Sequence, residues 1–368
     1  MNRHPKLTIF TIALSTFVIV VTTFYLLFVF TPIPFFRYWR DIWIETAMTT
    51  GDHQWLATAF IPGHIIDDVM KGKAETNIIG GIEHLETKPA IPEKQPEATE
   101  PVEDEPKPEE YNDILGLKNL KVGDKDYAGN TIEVVDYEQG LMISTVEGDG
   151  YKGKIMLIDD PSRVYLAQTK TPDVEGMRIL SFLDEYDAVA GINASGFADP
   201  GGEGDGSEVI GLSCSSGKFW GEFVNYYGSV VLTESDKLVV GNITVWENYD
   251  IRDGIQFGPV LVANGKAQVT GSAGYGIQPR TAIGQREDGV IAFLIIDGRN
   301  PLHSLGTTVG ELAKIFLDYD VVNASCCDGG SSTVMAYDGK VLNKNSSLNP
   351  AYGRRMPNAF LVKKRAAE

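Results

Sequence analysis

Six short polar segments interrupt the apolar pattern of the C-terminal part of the chain, and they hold the residue types from which a site could be built. They offer aspartates, arginines, asparagines and paired glycines, which can act as nucleophile or base and can hold an anionic substrate. Taken singly, each is more often a turn than a site, because Asp-Gly at 297–298 and Asp-Gly-Gly at 328–330 are ordinary turn sequences. The six segments span residues 191–197, 257–259, 278–284, 297–299, 328–332 and 353–359.

Stretches with strand character must position these segments, because each segment lies at or beside the end of one. The stretches are rich in Val and Ile and are bounded by Gly, Asp, Asn and Pro. Strands are predicted over residues 131–136, 154–158, 163–168, 188–193, 229–233, 290–297, 321–324 and 359–362.

Two helices are predicted among the strands. One covers residues 176–187, and the other begins at a capping box in which Thr308 is the N-cap and Glu311 follows three residues later. Each helix leads into a strand that carries Asn-Ala-Ser, at 193–195 and 323–325, which suggests either a duplicated unit or a chance repeat. Many short strands and few helices predict an α+β fold with mixed, largely antiparallel sheets and a few packed helices.

The sequence lacks the motifs of several other kinds of functional site. The sequence has no G-x-x-x-x-G-K-[ST] and no G-x-S-x-G, so neither a P-loop nor a nucleophile elbow is expected. Five scattered histidines and the absence of C-x-x-C argue against a zinc site. Calcium binding by Asp199, Glu203 and Asp205 is a weaker interpretation than a flexible polar loop. We therefore expect no metal and no cofactor.

The cysteines and the charge set further limits. Three cysteines form no disulfide framework, and the adjacent pair Cys326 and Cys327 is predicted to be two buried thiols rather than a vicinal disulfide. The formal net charge is −18, whereas sequence-independent nucleic-acid binding needs a basic face. No nucleic-acid partner is expected, but an anionic substrate remains compatible because its site needs only a few arginines.

The N-terminal region predicts a membrane anchor. Residues 7–30 contain no charged residue, and about 20 apolar residues suffice to span a bilayer. A signal-peptide core is shorter, at about 7–15 residues, and ends at small residues that are missing here. We expect a cytoplasmic tail at 1–6 and a single transmembrane helix at 7–31. Basic residues flank the span almost equally, and the orientation that places the C-terminal domain outside the cell is preferred.

The rest of the chain divides by composition. Residues 32–85 predict a helical stalk. Residues 86–110 contain six prolines and nine acidic residues, a composition that cannot form a core, so 86–112 is predicted to be a disordered linker. Residues 113–368 are enough for one large domain.

Taken together and in this order, the polar segments resemble the phosphodiester glycosidase family, which includes the uncovering-enzyme catalytic domain and bacterial exopolysaccharide-biosynthesis-type relatives. The resemblance runs from about residue 154 to 362 and begins at Asp-Pro-Ser-Arg-Val, residues 160–164. Its most specific pieces are Arg-Thr-Ala-Ile-Gly at 280–284 and Asp-Gly-Gly-Ser-Ser at 328–332. One departure is Asn-Ala-Ser-Gly-Phe at 193–197, where the family often has Asn-Gly-Gly-x-Phe.

The resemblance implies a set of site residues. Asp297 and Asp328 are the candidate carboxylates, with their separate roles left open, and Arg280 is expected to bind phosphate oxygens. The N–H groups of Gly329 and Gly330 are expected to form an anion-binding nest. The candidate catalytic residues are Asp297, Asp328, Arg280 and Asn193. The candidate substrate-binding residues are Phe197, Gly258, Thr281, Arg299, Gly329, Gly330, Ser331, Ser332, Arg355 and Asn358.

The implied activity is that of a membrane-anchored extracellular hydrolase. It would cleave the glycosidic C–O bond of a sugar-1-phosphodiester in a phosphate-linked glycan of the cell envelope or in an exopolysaccharide, in a bacterium. One alternative is a non-catalytic glycan-binding module on a stalk. Another is a phosphodiesterase that breaks the P–O bond, which usually needs a metal cluster.

Overall fold

The computed structural model describes residues 5–51, 53–73, 78–87, 113–200 and 204–365, with side chains from residue 9 onward. The chain forms two compact units, one of residues 1–73 with 274–277 and one of residues 74–273 with 278–368. Residues 88–112 of the predicted linker and residues 1–4 of the predicted tail lie outside the described part.

The first unit is helical. Its helices are α1 (Pro5–Phe30), α2 (Pro34–Met48), α3 (Trp55–Thr58) and α4 (Gly63–Met70). In α1 the 22 residues Ile9–Phe30 are apolar and almost wholly exposed, and at 1.5 Å per residue they extend about 33 Å, which matches a bilayer core. Among the described residues α1 is the one helix long and apolar enough to cross a membrane.

In the stalk predicted over 32–85, the α-helices end at Met70, and one 3-10 turn follows at Ile82–His84. Beyond Met70, Ile79–Gly80 forms a short edge strand, β1, that pairs with a strand of the second unit. Glycine is required there, because a Cβ on Gly80 would lie 2.3 Å from the side-chain oxygen of Asn323. The last part of the predicted stalk is therefore part of a sheet.

The second unit is built from strands. After β1, its sheets contain β2 (Thr131–Asp136), β3 (Leu141–Gly148), β4 (Tyr151–Ile158), β5 (Val164–Gln168), β6 (Ala188–Asn193), β7 (Ser213–Ser215), β8 (Lys218–Trp220), β9 (Gly228–Thr233), β10 (Leu238–Gly241), β11 (Ile251–Phe257), β12 (Val260–Ala263), β13 (Lys266–Ala267), β14 (Arg280–Arg286), β15 (Ile291–Ile296), β16 (Val321–Cys327), β17 (Met335–Tyr337), β18 (Lys340–Val341) and β19 (Asn358–Lys363).

These strands form three antiparallel sheets, which confirms the predicted α+β class. The first has the order β1-β10-β9-β11-β7-β8, the second β13-β12-β16-β14-β15-β4-β3-β2, and the third β18-β17-β6-β19-β5. One apolar cluster takes side chains from all three, including Val230, Phe293 and Phe360, each fully buried. Burial of this cluster is the main force that holds the sheets together, at about 25 cal/mol per Å² of apolar surface.

The sequence analysis counted Arg-Thr-Ala-Ile-Gly among the polar segments beside strand ends and predicted no strand there, whereas the structure has one. These residues begin β14, a strand inside the eight-stranded sheet that pairs with β15 on one side and β16 on the other. The buried hydroxyl of Thr281 is tolerated there because it donates a hydrogen bond to the side chain of Asn193.

Two helices pack on the sheets of this unit. Helix α5 (Ile179–Glu185) is shorter than predicted, and α6 (Val309–Asp318) begins as predicted, with the Thr308 hydroxyl accepting a hydrogen bond from the N–H of Glu311. The repeated tripeptide Asn-Ala-Ser does not occupy equivalent positions in the two helix–strand pairs. Asn193 ends β6, whereas Asn323 is the third residue of β16.

Candidate functional site

The side chain of Asn193 joins the strand ends at which the polar segments meet. Its Oδ1 accepts hydrogen bonds from the Thr281 hydroxyl at 2.8 Å and the Val334 N–H at 3.1 Å, and its Nδ2 donates to the Asp328 carbonyl at 2.7 Å. The Asp328 N–H donates to the Ala194 carbonyl at 2.8 Å. The end of β6 is thereby fastened to the start of β14 and the end of β16.

The Asp328 carboxyl group lies at this junction. Burial raises its pKa to about 6, while hydrogen bonds from the Ser332 hydroxyl and the Gly329 N–H and the charge of Arg354 act in the opposite direction. A carboxyl group with this pKa is mostly ionised at pH 7 yet poorly solvated. A carboxyl group whose pKa is shifted in this way is a candidate for catalysis.

Arg354 supplies positive charge beside Asp328. Its guanidinium forms a bidentate ion pair with Asp199, with Nη2 2.7 Å from Oδ1, and it lies 4.8 Å from the centre of the Phe197 ring. Its Nη1 is 3.5 Å from the Ser331 hydroxyl oxygen. The hydrogen bond from Arg354 is the main reason that the pKa of Asp199 is lowered.

Two further arginines approach the same loop. The Arg299 guanidinium donates to the Gln278 side-chain oxygen at 3.1 Å and passes so near Gly330 that a Cβ there would lie 3.0 Å from Nη2. Burial lowers the pKa of Arg299, and the charge of Asp328 raises it. Arg280, the first residue of β14, donates from Nε to the Thr307 carbonyl at 3.3 Å.

The anion-binding nest expected at Gly329 and Gly330 is not available. The Gly330 N–H donates to the Pro279 carbonyl at 2.9 Å, and the Gly329 N–H binds the Asp328 carboxylate. Glycine is nevertheless needed at 329, because a Cβ would lie 2.7 Å from the same carbonyl. An anion at this site would therefore have to be bound by side chains.

Asp297 is held by a separate set of contacts. Its Oδ1 accepts from Asn343 at 3.1 Å, and its Oδ2 accepts from the Lys344 N–H at 3.2 Å and lies 2.8 Å from Nε2 of His303. The carboxylate is 6% exposed and fixes the loop that begins at Asn343. A catalytic role for Asp297 stays a prediction.

The remaining predicted residues divide between the site and its surroundings. Asn358 is buried and accepts from the Ser195 N–H at 2.9 Å, so it shapes the 193–197 loop. Gly258 precedes a cis proline between β11 and β12. Arg355 differs from the expectation, because its guanidinium donates to the Gly176 carbonyl at 2.9 Å and pairs with Glu175 instead of joining the Asp328 cluster.

The structure bears on the cysteine prediction and on the weaker calcium interpretation. Cys326 and Cys327 are free buried thiols, as predicted, and burial raises the pKa of Cys326 to about 11. In the weaker calcium interpretation, Glu203 lies outside the described residues and Asp199 is paired with Arg354. Among the described residues no group of three His, Cys, Asp or Glu side chains is placed to hold a metal ion.

Removal of the Asn193 side chain should destabilise the second unit more than removal of one of its partners. Asn193→Ala leaves a buried hydroxyl and two buried backbone groups unpaired and should lower the free energy of unfolding by about 3 kcal/mol, whereas Thr281→Val should cost about 1 kcal/mol. Equilibrium urea unfolding of the full chain in detergent measures both. An equal cost for the two variants would contradict the crosslink described for Asn193.

Comparison with known proteins shows which family the second unit resembles. Residues 186–363 match the family model described as phosphodiester glycosidase. The uncharacterised SPbeta prophage-derived protein YomE of Bacillus subtilis strain 168 is 33% identical over 200 residues, a match that covers 51% of this chain and 29% of that protein. The chain therefore spans less than a third of the length of this curated relative.

One solved structure shares the fold. The catalytic domain of zebrafish N-acetylglucosamine-1-phosphodiester α-N-acetylglucosaminidase, auto-inhibited by its pro-peptide, aligns with a TM-score of 0.51 at 19% identity, over 61% of this chain and 82% of that one. A hypothetical protein from Synechocystis aligns with a TM-score of 0.47 at 14% identity, over 64% of each chain. Over residues 186–363, the chain is therefore similar to the phosphodiester glycosidase family.

Proposed function

We propose that the chain is a hydrolase that cleaves the bond between the anomeric carbon of a sugar and the bridging oxygen of a phosphodiester. The observation that carries the proposal is the half-buried Asp328 carboxylate with the guanidinium groups of Arg354 and Arg299 nearby, in a domain that resembles this family. A site that combines guanidinium groups with a carboxylate suits a substrate that has a negative phosphate and a carbon that becomes positive.

The reaction asks little of a general acid. When the C–O bond breaks, the bridging oxygen leaves with the phosphate as a monoester, which is a weak base compared with the alkoxide released by ordinary glycosidases. The oxygen of water ends on the anomeric carbon, and one proton of that water is released. Two demands remain: donors for the phosphate oxygens and a carboxylate beside the oxocarbenium-like carbon.

The described side chains can meet both demands. Arg354 and Arg299 would hold phosphate oxygens, and Arg280 would add a third guanidinium at the start of β14. Asp328 would face the anomeric carbon, as nucleophile, as base towards water or as charge stabiliser. The Ser332 hydroxyl and the Gly329 N–H would keep its carboxylate oriented through each step. Asn193 would act by positioning Asp328 through the main chain.

We place the reaction outside the cell, with α1 as the membrane anchor. The exposed apolar length of α1 supports the anchor, and the likeness of the domain to phosphodiester glycosidases supports a phosphate-linked glycan of the envelope or an exopolysaccharide as substrate. A non-catalytic glycan-binding module is the alternative, and it would bind the same ligand without releasing sugar.

Substitution of Asp328 should abolish sugar release from an α-N-acetylglucosamine-1-phosphodiester. Asp328→Asn should lower kcat/KM by about a thousandfold, and Arg354→Ala by about a hundredfold, because each removes a charge that acts in the transition state. Arg355→Ala is the matched control, since its guanidinium contacts Glu175 and Gly176, and it should change kcat/KM less than about threefold.

This assay uses the full chain in detergent, because Ile79–Gly80 belongs to a sheet of the domain. Activity of Asp328→Asn equal to that of the unaltered chain would exclude Asp328 from the reaction. If the substrate binds and a panel of phosphate-linked sugars stays intact, the binding-module alternative replaces the hydrolase.

The pH profile should report the ionisation of Asp328. Burial raises its pKa to about 6, so the reactive carboxylate form increases as the pH rises through 6, and kcat/KM should fall tenfold per pH unit well below that value. Steady-state rates between pH 4.5 and 8 measure this limb, after incubation controls for unfolding. A rate that falls as the pH rises through 6 would instead require the protonated form and would contradict the role as carboxylate.

A further inference from the structure

A cavity lies beside the Asp328 loop. It has a volume of about 930 Å³ and is lined by Leu180 and by residues 298–301, 339–341, 343–347 and 350–352. This volume is at the upper end of the range for small-molecule pockets, which is about 300–1,000 Å³. It can therefore hold more than one sugar ring.

The charge of this cavity is opposite to that of the chain. Its lining contains Arg299, Lys340 and Lys344 and no aspartate or glutamate, although the chain carries a formal net charge of −18. Both lysines are exposed, and neither forms an ion pair with the described residues. Focused positive potential in an acidic protein marks a place where an anion is attracted.

Hydrogen bonds fix part of the cavity wall. Asn345 donates to the Thr333 carbonyl at 2.6 Å and accepts from the Ser347 N–H at 2.7 Å, and Asn343 binds both the Asp297 carboxylate and the same Thr333 carbonyl. These bonds hold the loop at 343–347 in one conformation. Because the loop is already ordered, a ligand would lose little free energy in fixing it.

The cavity and the Asp328 cluster share structural parts. Arg299 lines the cavity and also lies against Gly330, and the Ser346 hydroxyl, which lines the cavity, donates to the Gly330 carbonyl at 3.5 Å. Tyr352, which is 52% exposed, adds a ring face at the rim on which a sugar can stack. A chain that enters the cavity thus arrives beside Asp328.

We infer that this cavity binds the next sugar-phosphate repeat of a polymeric substrate, with Lys340 and Lys344 holding its phosphate. The inference rests on the proposed function and narrows its substrate class. A substrate with a single phosphodiester would leave these two lysines without a ligand, whereas a chain with a phosphate in every repeat would occupy Asp328 and the cavity together.

The test compares binding of two fluorescent probes, an oligomer of N-acetylglucosamine-1-phosphate with several repeats and the corresponding single-repeat methyl phosphodiester. The full chain in detergent carries Asp328→Asn, so that neither probe is consumed. The oligomer should bind about tenfold more tightly than the single repeat, and Lys340→Ala/Lys344→Ala should remove most of that preference. The preference should also weaken with added salt.

The matched control is Lys218→Ala/Lys266→Ala, which removes the same charge from two exposed lysines outside the cavity and should keep the preference. Equal binding of the two probes, or equal losses in the two double variants, would overturn the inference. Sugar release by the chain with native Asp328 is measured separately. Sugar release without a preference for the oligomer would refute the role of the cavity and support the hydrolase activity. A preference for the oligomer without sugar release would support the role of the cavity and refute the hydrolase activity.

Discussion

The candidate site depends on one buried carboxamide. Asn193 accepts from a side chain of β14 and from the main chain at Val334, and it donates to the carbonyl of Asp328, so three segments far apart in sequence are held at one point. A buried amide with all three bonds made is stable, and one with a bond missing is costly. The position of the Asp328 carboxylate is therefore set by hydrogen bonding and not by loop sequence alone.

The electrostatics of the site follow from that position. The same burial that raises the pKa of Asp328 to about 6 also strengthens its interaction with neighbouring guanidinium groups, because the surroundings are less polar than water. The ion pair with Asp199 neutralises part of the charge of Arg354 and fixes the orientation of its guanidinium group. A phosphodiester entering here would replace water around charges that are already in place.

Sequence could predict the class of the fold, the Thr308 cap and the polar segments, because these depend on local patterns. The sequence alone could not show which of the adjacent residues Arg354 and Arg355 faces the site. Neighbouring residues of an extended chain point to opposite sides, and the choice is fixed by the pairing of Met356 with Met177, a distant contact. Likewise no strand was predicted at Arg-Thr-Ala-Ile-Gly, because its polar threonine finds its partner, Asn193, only in the folded protein. The contact of His303 with Asp297 carried no local signal either.

The central claim is that the bond between carbon and oxygen breaks, and not the bond between phosphorus and oxygen. Hydrolysis of an α-N-acetylglucosamine-1-phosphodiester in ¹⁸O-labelled water, followed by mass spectrometry of both products, tests this most directly. The account predicts that the label enters the released sugar and that the phosphate monoester carries none. Label in the phosphate would contradict it and would identify the protein as a phosphodiesterase.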